Sequence, residues 1–232
     1  LNAEALLSSL PLSNAVEIAE GPVVGSSDGQ LKTFHIVGSY RLAEVEDVIH
    51  ISFSPDGRTL ASGIRDGSVR LWNAAAGNFL RTLSGHALKV TSVSFGPISE
   101  RLVSASYDGT LKLWDVGTGD LLRTLSAEQA GEIYSVSWSP SGGLIASGHQ
   151  DAVVRLWNDS NGAMIRQFEG HGEGIVGVAF DPTGDILVSA SSDRTLKLWD
   201  VASGALLRTL EEPSRALQSV SWSPDGRKLV AG

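Results

Sequence analysis

His86, Ser104 and Asp108 lie within one short stretch, and His171, Ser189 and Asp193 repeat them at the same spacing. Serine, histidine and aspartate are the parts of a nucleophilic acyl-transfer site. The imidazole takes the hydroxyl proton and the carboxylate orients the ring. That chemistry also needs an exposed serine on a strained turn, a histidine about 3 Å away and an oxyanion hole. The sequence offers none of this context. Ser104 and Ser189 fall inside Leu102-Val103-Ser104 and Ile186-Leu187-Val188-Ser189, which read as regular strands. A catalytic set rarely recurs at the same place in later copies of a unit, so the duplication favours a scaffold role, and no catalytic residue is assigned. His35, His50 and His149 share no metal-ligand spacing and are read as solvated or packing histidines; no metal and no other cofactor is assigned.

The elements that would hold these residues are repeats. Asp66, Asp108, Asp151 and Asp193 are each followed six residues later by a tryptophan, at Trp72, Trp114, Trp157 and Trp199. The tryptophans recur every 42 or 43 residues, a period that marks one supersecondary unit used repeatedly. Each copy breaks into four short strands. The first reads apolar-x-x-apolar-x-aromatic, as in Val48, Ile51, Phe53 and Ile133, Val136, Trp138. Its extra residue predicts a β-bulge. Turns follow at Ser54-Pro55-Asp56-Gly57, Ser139-Pro140-Ser141-Gly142 and Asp181-Pro182-Thr183-Gly184, where proline pre-sets φ and glycine tolerates the exit. Gly96-Pro97-Ile98-Ser99 lacks the closing glycine and is expected to be looser. The second strand runs into the aspartate turn, and the third ends at the tryptophan. A glycine five residues on (Gly77, Gly119, Gly162, Gly204) places a further hairpin turn. The fourth strand, such as Leu122-Arg123-Thr124-Leu125, has the polar middle of an outer edge facing water.

Two ends of the chain are irregular. Ala5–Leu10 parallels Ala205–Leu210 and so reads as the last strand of a copy. Residues 15–45 form a degenerate copy with Asp28-Gly29 at its turn and Phe34 in the tryptophan's place. After Ala216, Ser219-Val220-Ser221-Trp222 and Ser223-Pro224-Asp225-Gly226 begin a sixth copy, which stops before its aspartate turn. The sequence begins at Leu1 rather than Met, which leaves open processing or a larger parent chain.

Composition narrows the function classes. The 232 residues are 42% hydrophobic and 19% charged, as in a globular protein that can build a core. A net charge of −8, with lysines and arginines scattered one per strand, argues against nucleic acid as a partner. The absence of cysteine excludes disulfides and thiolate metal sites and is compatible with a reducing compartment. No apolar run approaches the ~18 residues of a membrane-spanning helix, so no membrane partner is expected. The expected location is intracellular, cytoplasmic with the nucleus left open.

Four-stranded units of this period ending in Trp114-Asp115 and Trp199-Asp200, with Trp72-Asn73 and Trp157-Asn158 close to them and Gly85-His86 and Gly170-His171 ahead of two units, resemble the WD-repeat (WD40) β-propellers over essentially the whole chain. The resemblance implies an all-β propeller of four-stranded antiparallel blades. Five complete blades are expected, with a split, incomplete closing blade made by the N-terminal strand and the C-terminal strands. One domain spans 1–232: a degenerate blade at about 15–45, regular blades at 46–84, 88–126, 131–169 and 173–211, and a split blade of 216–232 with 4–10. The rival arrangement is an arc of a larger ring. In such proteins the Trp N–H bonds to Ser, Ser to His, and His to Asp. His86, Ser104, Asp108 and Trp114, and His171, Ser189, Asp193 and Trp199, are therefore expected to form buried structural networks. Glu44 and Gln129 stand in the histidine's place in two blades, which are expected to be less rigid.

The same resemblance directs two sets of side chains to the top face. The first stands just before the turn aspartate: Ser27, Arg65, Tyr107, Gln150 and Ser192. The second lies in the first strand near its bulge: Ile49, Thr91, Tyr134, Val176 and Gln218. Tyrosine and arginine are the residue types that dominate binding hot spots. The expected function is a non-catalytic protein–protein interaction scaffold. It would present its loops and top face to peptide or protein partners carrying basic residues, alone or within a larger multi-domain chain or complex. The alternative is an enzyme or small-ligand-binding propeller using the central channel, which would require convergent carboxylates, histidines or metal ligands there.

Overall fold

The computed structural model describes residues 23–25, 32–34, 47–127, 129–211 and 217–232. The chain divides into two compact units, Leu1–Glu46 and Asp47–Gly232. In the first, β1 (Val23–Gly25) pairs antiparallel with β2 (Lys32–Phe34), Val23 opposite Phe34. The strand expected over 4–10, the turn at Asp28-Gly29, Ser27 and Glu44 lie outside the described residues.

The second unit is four consecutive four-stranded antiparallel sheets and a hairpin. The first sheet is β3 (Val48–Phe53), β4 (Thr59–Ile64), β5 (Ser68–Asn73) and β6 (Phe79–Ser84). The second is β7 (Val90–Phe95), β8 (Arg101–Ser106), β9 (Thr110–Asp115) and β10 (Leu121–Ser126). The third is β11 (Ile133–Trp138), β12 (Leu144–His149), β13 (Val154–Asn158) and β14 (Met164–Phe168). The fourth is β15 (Ile175–Phe180), β16 (Ile186–Ser191), β17 (Thr195–Asp200) and β18 (Leu206–Glu211). The hairpin is β19 (Val220–Trp222) with β20 (Leu229–Ala231). The register of every first pair slips by one residue near its start, between Val48 and His50, Val90 and Ser92, Ile133 and Ser135, and Ile175 and Gly177. These are the bulges that the spacing predicts. Among the described residues no helix is long and apolar enough to cross a membrane.

The core lies between sheets, not within them. Middle strands are covered on both faces, so β8 is buried continuously from Leu102 to Ser106. One cluster joins Ala61, Val69 and Leu71 of the first sheet to Val93, Phe95 and Trp114 of the second. The next joins Val103, Leu111 and Leu113 to Ile133, Trp138 and Trp157, and a third joins Val154 and Leu156 to Ile175, Phe180 and Trp199. Trp114, Trp157 and Trp199 thus pack against the preceding sheet. Burying an indole removes about 150–250 Å² from water, worth about 4 kcal/mol per interface. The outer strands are different. Leu121 to Thr124 are exposed and only Leu125 of β10 is buried.

Two turn families hold the strands in place. Gly57 N–H donates to the Ser54 carbonyl at 2.8 Å, and Gly142 and Gly184 bond back in the same way. The turn at Gly96-Pro97-Ile98-Ser99 is not opened by its missing glycine. Ser99 adopts the left-handed conformation (φ 63°), and its N–H still donates to the Gly96 carbonyl at 3.1 Å. Its hydroxyl also accepts from Asp56 N–H, tying it to the turn of the preceding sheet. At the other turn the N–H groups of Gly77, Gly119, Gly162 and Gly204 bond back four residues. Arginines of the outer strands reach the next sheet's turn there: Arg123 donates to the Ser160 carbonyl at 3.2 Å, and Arg166 to those of Ser203 and Ala202 at 2.7 and 2.9 Å.

Candidate functional site

In the second sheet the polar set closes into one chain of hydrogen bonds. Trp114 Nε1–H donates to Ser104 Oγ at 2.8 Å, and Ser104 Oγ lies 2.7 Å from His86 Nε2. His86 Nδ1 is 2.9 Å from Asp108 Oδ2. An ionised aspartate only accepts, so Nδ1 carries the proton, Nε2 accepts, and Ser104 donates to it. Asp108 also accepts from Ala87 N–H and the Thr110 hydroxyl. Against the cost of burial, these donors hold its carboxyl well below the usual range. The fourth sheet repeats the chain: Trp199 to Ser189 at 2.8 Å, Ser189 to His171 at 2.8 Å, and His171 to Asp193 at 2.9 Å. Burial favours neutral His171 and outweighs the pull of Asp193. Despite its burial, Asp193 is held down at about 2 by bonds from Gly172, Thr195 and His171.

The linkage resembles a serine nucleophile with its base, yet Ser104 and Ser189 are wholly buried. Each spends its proton on the imidazole and a lone pair on the indole, leaving no approach for a carbonyl carbon. The sets fasten strand three to strand two and to the loop ahead of the sheet. Among the described residues, no three histidines or carboxylates are grouped to hold a metal.

Of the first set expected on the top face, Arg65, Tyr107, Gln150 and Ser192 adjoin the turn aspartates, and each is matched to the residue preceding its sheet. Arg65 N–H donates to the Asp47 carbonyl, and their side chains form an ion pair at 2.9 Å. Tyr107 N–H donates to the Lys89 carbonyl, and Lys89 Nζ lies 3.6 Å from the Tyr107 ring centroid. Gln150 bonds to Glu132 at 2.9 Å, and Ser192 to Gly174 at 3.1 Å, both through backbone. Sequence reasoning missed Asp47, Lys89 and Glu132; their signal is the position just ahead of the first apolar residue of each sheet.

The structure brings Tyr107 and Tyr134 together, edge to face at 5.6 Å. Burial, the hydrogen bond to Glu132 and its negative charge push the Tyr134 hydroxyl up to about 12. A Cβ on Gly174 would stand 3.2 Å from the Tyr134 ring, so the stack runs from Lys89 across the second and third sheets to the edge of the fourth. The second set is otherwise dispersed. Ile49 and Gln218 are exposed. Thr91 donates to the Ile133 carbonyl at 2.7 Å and so fastens two sheets, and Val176 packs on the cluster around Val188 and Leu217.

Five segments, residues 40–73, 77–115, 119–158, 162–200 and 204–232, match the family model of the WD domain, G-beta repeat. The chain belongs to the WD-repeat family. A stretch of 39 residues is 51% identical to the Notchless protein homolog of Arabidopsis thaliana. That stretch is 17% of this chain and 8% of that protein, so the match spans a small part of the relative's length.

The WD repeats are staggered against the sheets. The segment 77–115 supplies β6 to one sheet and β7, β8 and β9 to the next, so each repeat laces two neighbours together. The repeats that lack Gly-His are wired differently. In the third sheet Trp157 still donates to Ser147 at 2.8 Å, and Ser147 Oγ lies 2.7 Å from Nε2 of His149. His149 is wholly buried and hydrogen-bonded within this network, which excludes the solvated half of its reading as a solvated or packing histidine. The aspartate is met from another side, by Arg155 at 2.9 and 2.5 Å. In the first sheet Trp72 donates to Ser62 at 3.0 Å, and Arg70 approaches Asp66 at 3.7 Å. Where histidine serves the aspartate the same strand position is lysine. Lys112 and Lys197 turn to the hydroxyls of Thr124 and Thr209 on the outer strand.

Proposed function

We propose that the protein is a non-catalytic interaction scaffold whose top face engages peptide or protein partners. The observation that carries this reading is the Lys89–Tyr107–Tyr134 stack. Large, stiff aromatic side chains crossing neighbouring sheets gain contact area at small cost in side-chain entropy. Tyr107 adjoins Asp108 of the buried network, so its backbone is held before a partner arrives. The net charge of −8 without a basic stripe favours protein over nucleic acid as the partner. A cysteine-free chain fits an intracellular setting, cytoplasmic or nuclear.

The test is affinity capture from the source cell with the intact chain and with Tyr107→Ala and Tyr134→Ala. Partners held by the top face are retained by the parent protein and lost or depleted with both variants. Equal recovery by all three proteins sinks the reading.

A further inference from the structure

A cavity of about 410 Å³ opens beside the tyrosine stack, where the aspartate turn of the second sheet meets the strand entry of the third. Tyr107 and Asp108 form one wall, and Glu132 and Gln150 the other. The walls are close: a Cβ on Gly109 would meet the Gly131 carbonyl oxygen at 3.1 Å, and one on Gly131 would collide with the Gln150 amide oxygen. Among the described residues two carboxylates line the cavity, and no lysine, arginine or histidine does.

We infer that this cavity receives an arginine side chain of the partner, an inference that rests on the scaffold reading above. Three features match a guanidinium. Asp108 is held ionised by donors that also occupy its oxygens, so it supplies a fixed negative field rather than a direct bond. The Glu132 carboxylate and the Gln150 amide oxygen supply acceptors on the opposite wall. Tyr107 supplies an aromatic surface, and its ring already draws a cation of this chain, Lys89 at 3.6 Å. Arginine suits such a site better than lysine because its planar group stacks on a ring while its edge donates in parallel to a carboxylate. The ion-paired Arg65 and Asp47 of the first sheet satisfy each other and provide no equivalent site.

The probes are the capped peptide acetyl-Gly-Arg-Gly-amide and its citrulline counterpart, which keeps the shape and loses the charge. Each is titrated into the full ¹⁵N-labelled chain. The arginine peptide should shift the amides of Gly109, Gly131 and Glu132 in a saturable manner in the millimolar range. Citrulline and the Glu132→Gln variant should each weaken binding about tenfold. The variant's unchanged spectrum away from the cavity reports that it is folded. Equal binding of citrulline, an unaltered affinity in Glu132→Gln, or no shift at the three amides overturns the inference. Partners lost with Tyr107→Ala while arginine fails to bind would overturn only this inference. Arginine binding with partners recovered equally by the parent chain, Tyr107→Ala and Tyr134→Ala would sink the scaffold reading, leaving a guanidinium site that those partners do not use and so overturning the partner's part of this inference.

Discussion

Ser147 Oγ lies 2.7 Å from His149 Nε2, two residues along the same strand. In the second and fourth sheets the equivalent serine meets a histidine delivered by the preceding loop. The serine hydroxyl therefore finds an imidazole by two routes. The strand-borne route has a cost: with Nε2 accepting from Ser147, Nδ1 carries the proton, and that buried atom has no hydrogen-bond partner.

The environment of His149 makes stability depend on pH. Burial, with the Arg155 charge adding to it and Asp151 opposing, pulls the imidazole down to about 3 from its ordinary 6.5. The unfolded chain takes up a proton below pH ~6.5 that the folded chain refuses until pH ~3. Stability must therefore fall as pH drops through that window, by about 1.4 kcal/mol per unit once well below 6.5. His171 is shifted in the same direction and adds to the slope. Urea denaturation between pH 7 and 5 should show the decline, and His149→Leu should flatten it in part. A slope that is the same in both proteins rules out His149 as its source.

The serine networks predict unequal costs for one substitution. Ser104→Ala strands the Trp114 indole and His86 Nε2 together, whereas Ser62→Ala strands only the Trp72 indole among these side chains. At about 1–3 kcal/mol for each buried group left unpaired, Ser104→Ala should cost about 3 kcal/mol and Ser62→Ala about half as much. Chemical denaturation of the two variants measures the difference. Equal losses would show that the histidine link contributes nothing.

Much of this was legible in the residues themselves. The tryptophan period gave the sheets, the extra residue in each first strand gave the bulges, and the glycine after each tryptophan gave the turn. These features are local, so one stretch of chain contains both partners. What escaped depends on residues brought together by folding. Gln129 occupies the histidine's aligned place, and nothing in that alignment points to His149 on another strand. The Lys89–Tyr107 stack was hidden for a related reason. Lys89 leads into β7 and Tyr107 follows β8, far apart along the chain, and only the antiparallel register, with Val90 opposite Ser106, brings them together.

The choice of arginine or lysine on the third strand should be tied to the aspartate. Arg155, nearly buried, pairs with Asp151, whereas Lys112 donates to Thr124 and leaves Asp108 to His86. A double-mutant cycle on Arg155→Met and Asp151→Asn should yield a coupling of about 1–3 kcal/mol, and the matching cycle on Lys112→Met and Asp108→Asn only a few tenths. Equal couplings would remove the distinction drawn between the two kinds of sheet.

Gly162 separates backbone strain from crowding at the turn between β13 and β14. Both Gly162 (φ 76°) and Gly57 (φ 70°) are left-handed, so alanine at either pays the same backbone cost of about 1 kcal/mol. A Cβ on Gly57 meets nothing within 4 Å, whereas one on Gly162 falls 2.5 Å from both Arg123 Cδ and Leu125 Cδ2 of the neighbouring sheet. Arg123 can yield only by giving up the Ser160 carbonyl, and Leu125 is buried. Gly162→Ala should therefore cost about 2 kcal/mol more than Gly57→Ala. Adding Arg123→Ala should recover part of the loss, because it clears one of the two contacts. A Gly162→Ala penalty no larger than that of Gly57→Ala would mean that the outer-strand arginines lie over these turns without pressing on them.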